Sequence, residues 1–139
     1  MLVSENTISI RFDEVDIMGY VYHGNYSKYY HLGRTELLRK MSISDKELMK
    51  SNILMPVLEV NSKFIKPIFY EDKIIIKTNL KEFSRCKMKF HYELFNLNNE
   101  LVHFADSTIV FVDEKTRKPI RLPKQIMNAI ETHIYKGFL

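Results

Sequence analysis

The chain opens with alternating apolar and polar residues and then changes to a helical repeat. From Thr7 to Asp13 the alternation has the period of a half-buried strand. From Gly24 to about Met41 apolar and aromatic residues recur every three to four positions, which predicts a helix of roughly 17 residues, about 25 Å long. Gly33 in mid-helix costs roughly 1 kcal/mol relative to alanine, so we expect a sheet to approach the backbone closely there.

Beyond Pro56 the pattern is that of strands. Four alternating segments are separated by turn residues, namely Val57–Ile65, Asp72–Phe83, Cys86–Asn96 and Leu101–Asp113. A short helix capped by Ser44 precedes them, and a final helix is predicted from Pro123 to about Tyr135. This order predicts an α+β domain in which a mainly antiparallel sheet of about five strands wraps one long central helix.

Size and composition narrow the classes of protein. The 139 residues contain no repeat or linker, so we expect a single domain spanning residues 1–139. The single cysteine, Cys86, excludes an internal disulfide and a cysteine-based zinc motif, and we expect it to be buried. No apolar segment approaches a membrane span and the N-terminus lacks a signal pattern, so a cytoplasmic protein without stable membrane insertion is expected.

Charge favours a small anionic ligand. The chain carries 21 Lys and Arg against 17 Asp and Glu, and the net charge of +4 is dispersed. Because no basic stripe with interleaved stacking aromatics stands out, we expect no nucleic-acid partner.

The candidate chemistry lies between Phe12 and Tyr26, where the first strand crosses to the long helix. Asp16 stands here beside the start of the helix, whose first amides lack helical partners and carry the positive end of the dipole. A carboxylate next to free amide donors is the smallest set of groups that can hydrolyse an activated acyl group. Taken alone, Asp16 reads as a turn or cap residue, and only the surrounding motif favours a functional role.

That motif resembles a known family. The run Asp16–Tyr26, followed by Arg34-Thr35-Glu36, resembles the signature of the 4-hydroxybenzoyl-CoA thioesterase family, which has the hot-dog fold. The resemblance is stronger to its branch of Tol-Pal-associated bacterial acyl-CoA thioesterases. Further matches are Pro56-Val57, Phe64-Ile65-Lys66-Pro67, Tyr70-Glu71-Asp72, Ser84-Arg85, Val112-Asp113, Arg117-Lys118-Pro119 and Pro123. One departure is that Glu14-Val15-Asp16 stands where the family usually has Asp-Thr-Asp, which keeps the last carboxylate.

The resemblance implies hydrolysis of an acyl-CoA thioester. Because the leaving thiol has a pKa of about 8.5, attack on the carbonyl is the difficult step. Asp16 would act as a general base on water or attack the carbonyl directly, and the sequence leaves both open. The motif match places the amide that polarises the carbonyl at His23, with Gly24 beside it. The His23 imidazole is a candidate substrate contact, and Asn25 is a candidate for orienting the water or for a plain helix cap.

Candidate substrate contacts divide into aromatic and cationic residues. Tyr22 and Tyr26 are candidates for the acyl group, although core packing is the favoured reading of Tyr26. The candidates for the coenzyme A phosphates are Arg85, Lys87, Lys89, Arg117 and Lys118, which we expect near the acyl site unless they form only a solvated face. Glu36 is a second carboxylate, for which an ion pair with a nearby arginine is favoured. Neither a metal nor an organic cofactor is called for, since coenzyme A is part of the substrate.

The resemblance also implies assembly. Hot-dog subunits of this kind join their sheets, so we expect a homodimer or homotetramer in which Asp16 acts on substrate held partly by the other subunit. Alternatives are an acyl carrier protein thioesterase, a non-catalytic acyl-CoA sensor on the same fold, and a hot-dog hydratase, which needs a differently placed Asp and His pair. The acyl chain is left undetermined.

Overall fold

A computed structural model describes residues 2–137 of the chain. The elements in chain order are β1 (Leu2–Ser9), 3-10 turns at Phe12–Glu14 and His23–Asn25, α1 (Tyr26–Lys40), α2 (Asp45–Lys50), β2 (Ile53–Leu54), β3 (Val57–Phe64), β4 (Lys73–Phe83), β5 (Lys87–Phe95), β6 (Leu101–Asp113), β7 (Pro119–Ile120) and α3 (Lys124–Gly137). The predicted α+β class and the order of the long elements are confirmed.

Five long strands form one antiparallel sheet in the order β1-β4-β5-β6-β3. The two-residue strands β2 and β7 also pair with β6 near its end, which adds two short members to the predicted five. Because β1 and β3 are the long strands with a neighbour on one side only, they form the edges.

Helix α1 lies across the sheet and supplies one side of the core. Its buried residues are Tyr26, Tyr29, Tyr30, Gly33, Leu37 and Leu38. The sheet supplies the other side of the core through alternating buried residues on β4 and β5, such as Ile76 and Phe90. A Cβ at Gly33 would lie 2.2 Å from Thr78 Oγ1, so the predicted close approach at this glycine is confirmed. No helix within residues 2–137 is long and apolar enough to cross a membrane.

Three local predictions need correction. The first strand is Leu2–Ser9 rather than Thr7–Asp13, because Ile10 leaves the ladder for hydrogen bonds with the turn before β4 and the chain then coils into a 3-10 turn. The α-helix begins at Tyr26, since His23–Asn25 form a tighter turn ahead of it. Cys86 is exposed, because it lies in the turn that precedes β5.

The predicted short helix is confirmed as α2, with Ser44 Oγ accepting from the Glu47 amide at 3.2 Å. The final helix begins one residue after Pro123, as expected for proline at a helix start.

Candidate active site

The loop that carries Asp16 folds back on itself in a tight turn. The Asp16 amide donates to the Tyr20 carbonyl at 2.8 Å, and the Gly19 amide donates to the Asp16 carbonyl at 2.9 Å. Gly19 has φ of 85°, a conformation that glycine adopts without strain. Asp16 Oδ1 accepts from the Met18 amide at 3.0 Å, the one hydrogen bond to this carboxylate within residues 2–137. The turn therefore presents a partly exposed carboxylate with one oxygen open.

The amides at the start of the helical segment are available donors. The Asn25 amide donates to Tyr22 O at 2.9 Å and the Tyr26 amide donates to His23 O. The hydrogen bonds among the described residues include none donated by the amides of His23 or Gly24. Two unpartnered donors thus lie at the positive end of α1, where a developing oxyanion would be stabilised.

The side chains around these amides are exposed. The rings of Tyr22 and His23 pack against each other with centroids 4.4 Å apart. A Cβ at Gly24 would lie 2.7 Å from Tyr22 Cε1, so the space left by the missing side chain is filled by the tyrosine ring. Gly24 therefore permits Tyr22 to lie over the helix start.

Asn25 joins the loop to the helix rather than capping it. Its side chain makes no cap hydrogen bond to α1, and Asn25 Nδ2 donates instead to the Glu14 carbonyl at 2.8 Å. The plain-cap interpretation is therefore wrong. The Asn25 side-chain amide therefore bonds to the neighbouring loop and not to the helix. The same Glu14 carbonyl also accepts from the Tyr22 backbone amide, at 2.9 Å.

Glu14 is a residue of the loop that the sequence pattern did not single out as part of the site. Its side chain is 5% exposed and accepts from Tyr29 Oη at 2.7 Å and from the Arg11 amide at 2.9 Å. Burial alone would raise its pKa, but the hydrogen bonds from Tyr29 and Arg11 outweigh burial and leave the pKa of Glu14 below its usual value. The buried, hydrogen-bonded carboxylate of Glu14 thus differs from the partly exposed carboxylate of Asp16 in the same loop.

A cavity of about 240 Å³ lies beside the Asp16 turn. It is lined by Tyr20, Val21, Tyr26, Phe64, Ile65, Lys66 and Pro67. Tyr26 is buried, as predicted, and also forms a wall of the cavity, with its ring edge-on to Phe64 at 4.8 Å. Phe64 and Ile65 are exposed at the end of β3, so the cavity opens at that edge. The alternation of apolar and polar residues cannot identify Phe64 and Ile65 as cavity residues, because a core strand and an exposed apolar edge strand have the same sequence pattern.

Behind the cavity wall lies a buried polar pair. His103 Nε2 is 2.5 Å from Tyr30 Oη, and the His103 ring packs on Tyr26 with centroids 4.3 Å apart. Burial lowers the pKa of His103 to about 4 and raises that of Tyr30 to about 12, so both are neutral at pH 7. His103 Nδ1 has no hydrogen-bond partner among the described residues.

The candidate phosphate-binding cations lie at the other end of the sheet. Arg85 and Lys87 flank the turn between β4 and β5, Lys89 pairs with Glu82 at 3.5 Å, and Arg117 and Lys118 form the turn between β6 and β7. Since β5 runs about 26 Å from this end to the end near the Asp16 loop, the expected proximity is wrong within one chain. Alternation does not reveal which sheet end a turn occupies. Their role in binding stays a prediction.

Glu36 takes no part in the cavity. It forms an ion pair with Arg39 at 2.7 Å, one helical turn away on α1, as the sequence favoured.

Comparisons with known proteins show the family and the fold. Residues 10–130 match the family model of the thioesterase-like superfamily. The Bacillus subtilis protein YneP, a proposed acyl-CoA thioesterase, is 32% identical over 124 residues, covering 89% of this chain and 90% of that protein. The acyl-CoA thioester hydrolase YbgC of Escherichia coli O157:H7 is 28% identical over 120 residues, which are 86% of this chain and 90% of that protein. A DHNA-CoA thioesterase structure from Staphylococcus aureus superposes with a TM-score of 0.89 and 31% identity, covering 99% of this chain and 96% of that one.

Proposed function

The chain belongs to the thioesterase-like superfamily and is an acyl-CoA thioesterase, and we propose that Asp16 and the amides of His23 and Gly24 form its reaction centre. One observation carries the assignment. A carboxylate with an open oxygen lies on a loop that is hydrogen-bonded to the start of the segment leading into α1, where two amides have no hydrogen-bond partner within residues 2–137. This combination supplies both a base or nucleophile and an oxyanion site.

The proposed reaction has two routes. In the first, Asp16 removes a proton from a water molecule, and the water oxygen attacks the thioester carbonyl carbon. The carbonyl electron pair moves onto its oxygen, where the amides of His23 and Gly24 hold it, and then returns to expel the thiolate, which takes the proton from Asp16. In the second, an Asp16 oxygen attacks the carbonyl carbon and the carbon–sulfur bond breaks, so that the thiolate leaves and a mixed anhydride forms. Water then cleaves the anhydride, which releases the acid and restores the Asp16 carboxylate, and the remaining proton goes to the thiolate. Both routes leave a free acid and coenzyme A.

The acyl group is proposed to lie in the cavity beside Tyr26 and Phe64, with Tyr22 and His23 at its approach. A volume of about 240 Å³ is below the roughly 300–1,000 Å³ of ordinary ligand pockets, and the cavity opens at the β3 edge. These features support a site that one chain only partly encloses.

A second copy of the chain is proposed to close that edge. Every residue of β3 is exposed, and its apolar side chains include Val60 and Phe64 on the face that carries α1. If two β3 strands pair antiparallel about a two-fold axis, the sheet end that bears Arg85 and Lys87 in one copy comes to the Asp16 end of the other. This arrangement would bring the candidate phosphate-binding cations Arg85 and Lys87 of one copy towards Asp16 of the other, whereas within one chain they lie at opposite ends of the sheet. The proposed reaction needs neither a metal ion nor an organic cofactor.

The test is thiol release from a panel of short, long and aromatic acyl-CoAs. Wild type is compared with Asp16→Asn, which keeps the shape of the side chain and removes the base. Asp13→Asn is the matched control, because Asp13 is an exposed carboxylate of the same loop whose one ion pair among the described residues is with Arg11, at 3.3 Å. We expect Asp16→Asn to lose about 10²- to 10⁴-fold in kcat, and Asp13→Asn to stay within about twofold of wild type.

Equal rates in wild type and Asp16→Asn would contradict the assignment of Asp16. If both proteins bound acyl-CoA and neither released thiol, the chain would be a sensor on the thioesterase fold.

A further inference from the structure

Glu14 is tied to both sides of the reaction centre by its carboxylate. Its Oε1 accepts from the Arg11 amide at the start of the loop, at 2.9 Å. Its Oε2 accepts from Tyr29 Oη at 2.7 Å and from Lys28 Nζ at 3.4 Å, both on α1. A buried carboxylate with charge-assisted and neutral donors on both oxygens is fixed in place.

The backbone of Glu14 makes a second connection to the same parts. Its carbonyl accepts from Asn25 Nδ2 at 2.8 Å and from the Tyr22 amide at 2.9 Å. One residue therefore links the strand exit, the returning arm of the Asp16 turn and the start of α1. Asp16 lies two residues further on, and within residues 2–137 its own side chain has only the Met18 amide to hold it.

We propose that Glu14 is a positioning residue that fixes the Asp16 loop against α1, so that the Asp16 carboxylate and the amides of His23 and Gly24 keep one relative geometry. This inference rests on the proposed function of Asp16 and those amides. Glu14 is not itself a base, because both of its oxygens already accept hydrogen bonds and its side chain is buried.

The length of the side chain matters to this role. At this position the family motif usually has an aspartate, the first residue of Asp-Thr-Asp. The Glu14 side chain is one methylene longer, and its carboxylate reaches the Tyr29 hydroxyl on α1. Glu14→Asp should therefore withdraw the carboxylate from Tyr29 while keeping the charge. Tyr29→Phe removes the same hydrogen bond from the other side and leaves the ring in the core.

Kinetics at saturating and limiting acyl-CoA give the first readout. Misplacement of a reacting group by about 1 Å can cost on the order of 100-fold in rate. We expect Glu14→Gln to lower kcat by roughly 10- to 100-fold with KM changed less than about threefold, at temperatures well below melting. Because Glu14→Asp and Tyr29→Phe each remove the hydrogen bond between Glu14 and Tyr29, the Glu14→Asp/Tyr29→Phe double variant should be no slower than Glu14→Asp alone.

Amide hydrogen exchange gives a second readout that needs no activity. We expect faster exchange across residues 15–22 in Glu14→Gln and in Tyr29→Phe, and no change in the Asp13→Asn control. Wild-type kcat in both variants together with unchanged exchange would overturn the proposal, as would a loss confined to KM. If wild type itself released no thiol, the reaction assignment would fail, and exchange would still decide whether Glu14 holds the loop.

Discussion

The two edges of the sheet are built differently. At the β1 edge the strand is held by the protein's own helix, with Lys40 Nζ donating to the Val3 carbonyl at 3.0 Å and Ser4 Oγ donating to the Gly33 carbonyl at 3.5 Å. Ser4 is buried there. At the β3 edge every residue is exposed, including apolar Val57 and Val60.

The difference favours β3 as the edge at which a second copy is proposed to bind. The β1 edge is linked to α1 through Val3 and Ser4, whereas an exposed apolar edge such as β3 invites another strand. The cavity and Phe64 lie at the open edge, so the same surface that would bind a second copy also borders the proposed acyl site. We therefore expect the acyl site to become enclosed when two copies of the chain assemble.

The largest expected effect comes from placing a charge on the open edge. Val60→Lys puts an ammonium group on the face that a second copy would bury, and burying an unpaired charge is costly. We expect the mass in solution to fall from at least twice 16.6 kDa to that of one chain, with activity per chain reduced by at least about tenfold. Light scattering and thiol release measure the two quantities.

Leu97→Lys is the matched control for that substitution. Leu97 is also apolar and exposed, at 66% against 42% for Val60, but it lies in the turn between β5 and β6 and not on β3. A Val60→Lys protein with unchanged mass and activity would show that β3 is not the assembly edge.

A smaller effect, on the free energy of unfolding, is expected at low pH from His103, which lies behind the open edge. His103 pairs with Phe64 in the sheet register, and its pKa of about 4 lies below the ordinary value of 6.5. As the pH falls below 6.5 the unfolded chain binds a proton at this residue before the folded chain does. The free energy of unfolding should therefore fall by up to about 3 kcal/mol between pH 6.5 and 4.

Denaturant titrations at several pH values, at one protein concentration, measure this loss. In His103→Gln, which keeps a polar partner for Tyr30 and does not titrate, the loss over the same window should shrink by that amount. Identical pH dependence in the two proteins would mean that His103 is not buried as a neutral ring.

The smallest expected effect is at the closed edge. A methyl group at Gly33 would meet Thr78 Oγ1 at 2.2 Å and Ile76 Cγ2 at 3.2 Å. Overpacking costs about 1–3 kcal/mol, and a separation of 2.2 Å places Gly33→Ala in the upper part of that range, at about 2–3 kcal/mol. Because alanine gains about 1 kcal/mol of helix propensity, the net destabilisation should be about 1–2 kcal/mol. Adding Thr78→Ala removes the clash together with a buried hydroxyl that has no partner among the described residues. Thermal melting should then recover, and a Gly33→Ala protein as stable as wild type would contradict this packing.

The sequence predicted well those features that depend on local pattern. Strand alternation and Ser44 as a cap follow from residues near one another, and a glycine in mid-helix indicated a close approach although the contact is with Thr78 on β4. Other features set by tertiary contacts escaped prediction. The anchoring of Glu14 depends on Tyr29, fifteen positions away, and the placement of Arg85 at the far sheet end depends on how the strands reverse.

The most direct test of a shared site is complementation between two inactive variants. Asp16→Asn keeps the cations, and an Arg85→Glu/Lys87→Glu variant keeps Asp16. When the two are coexpressed in equal amounts, half of the dimers are mixed and each mixed dimer has one intact site, so about a quarter of wild-type activity should return. Activity no greater than the average of the two parents would show that Asp16 and these cations do not serve one site across two chains.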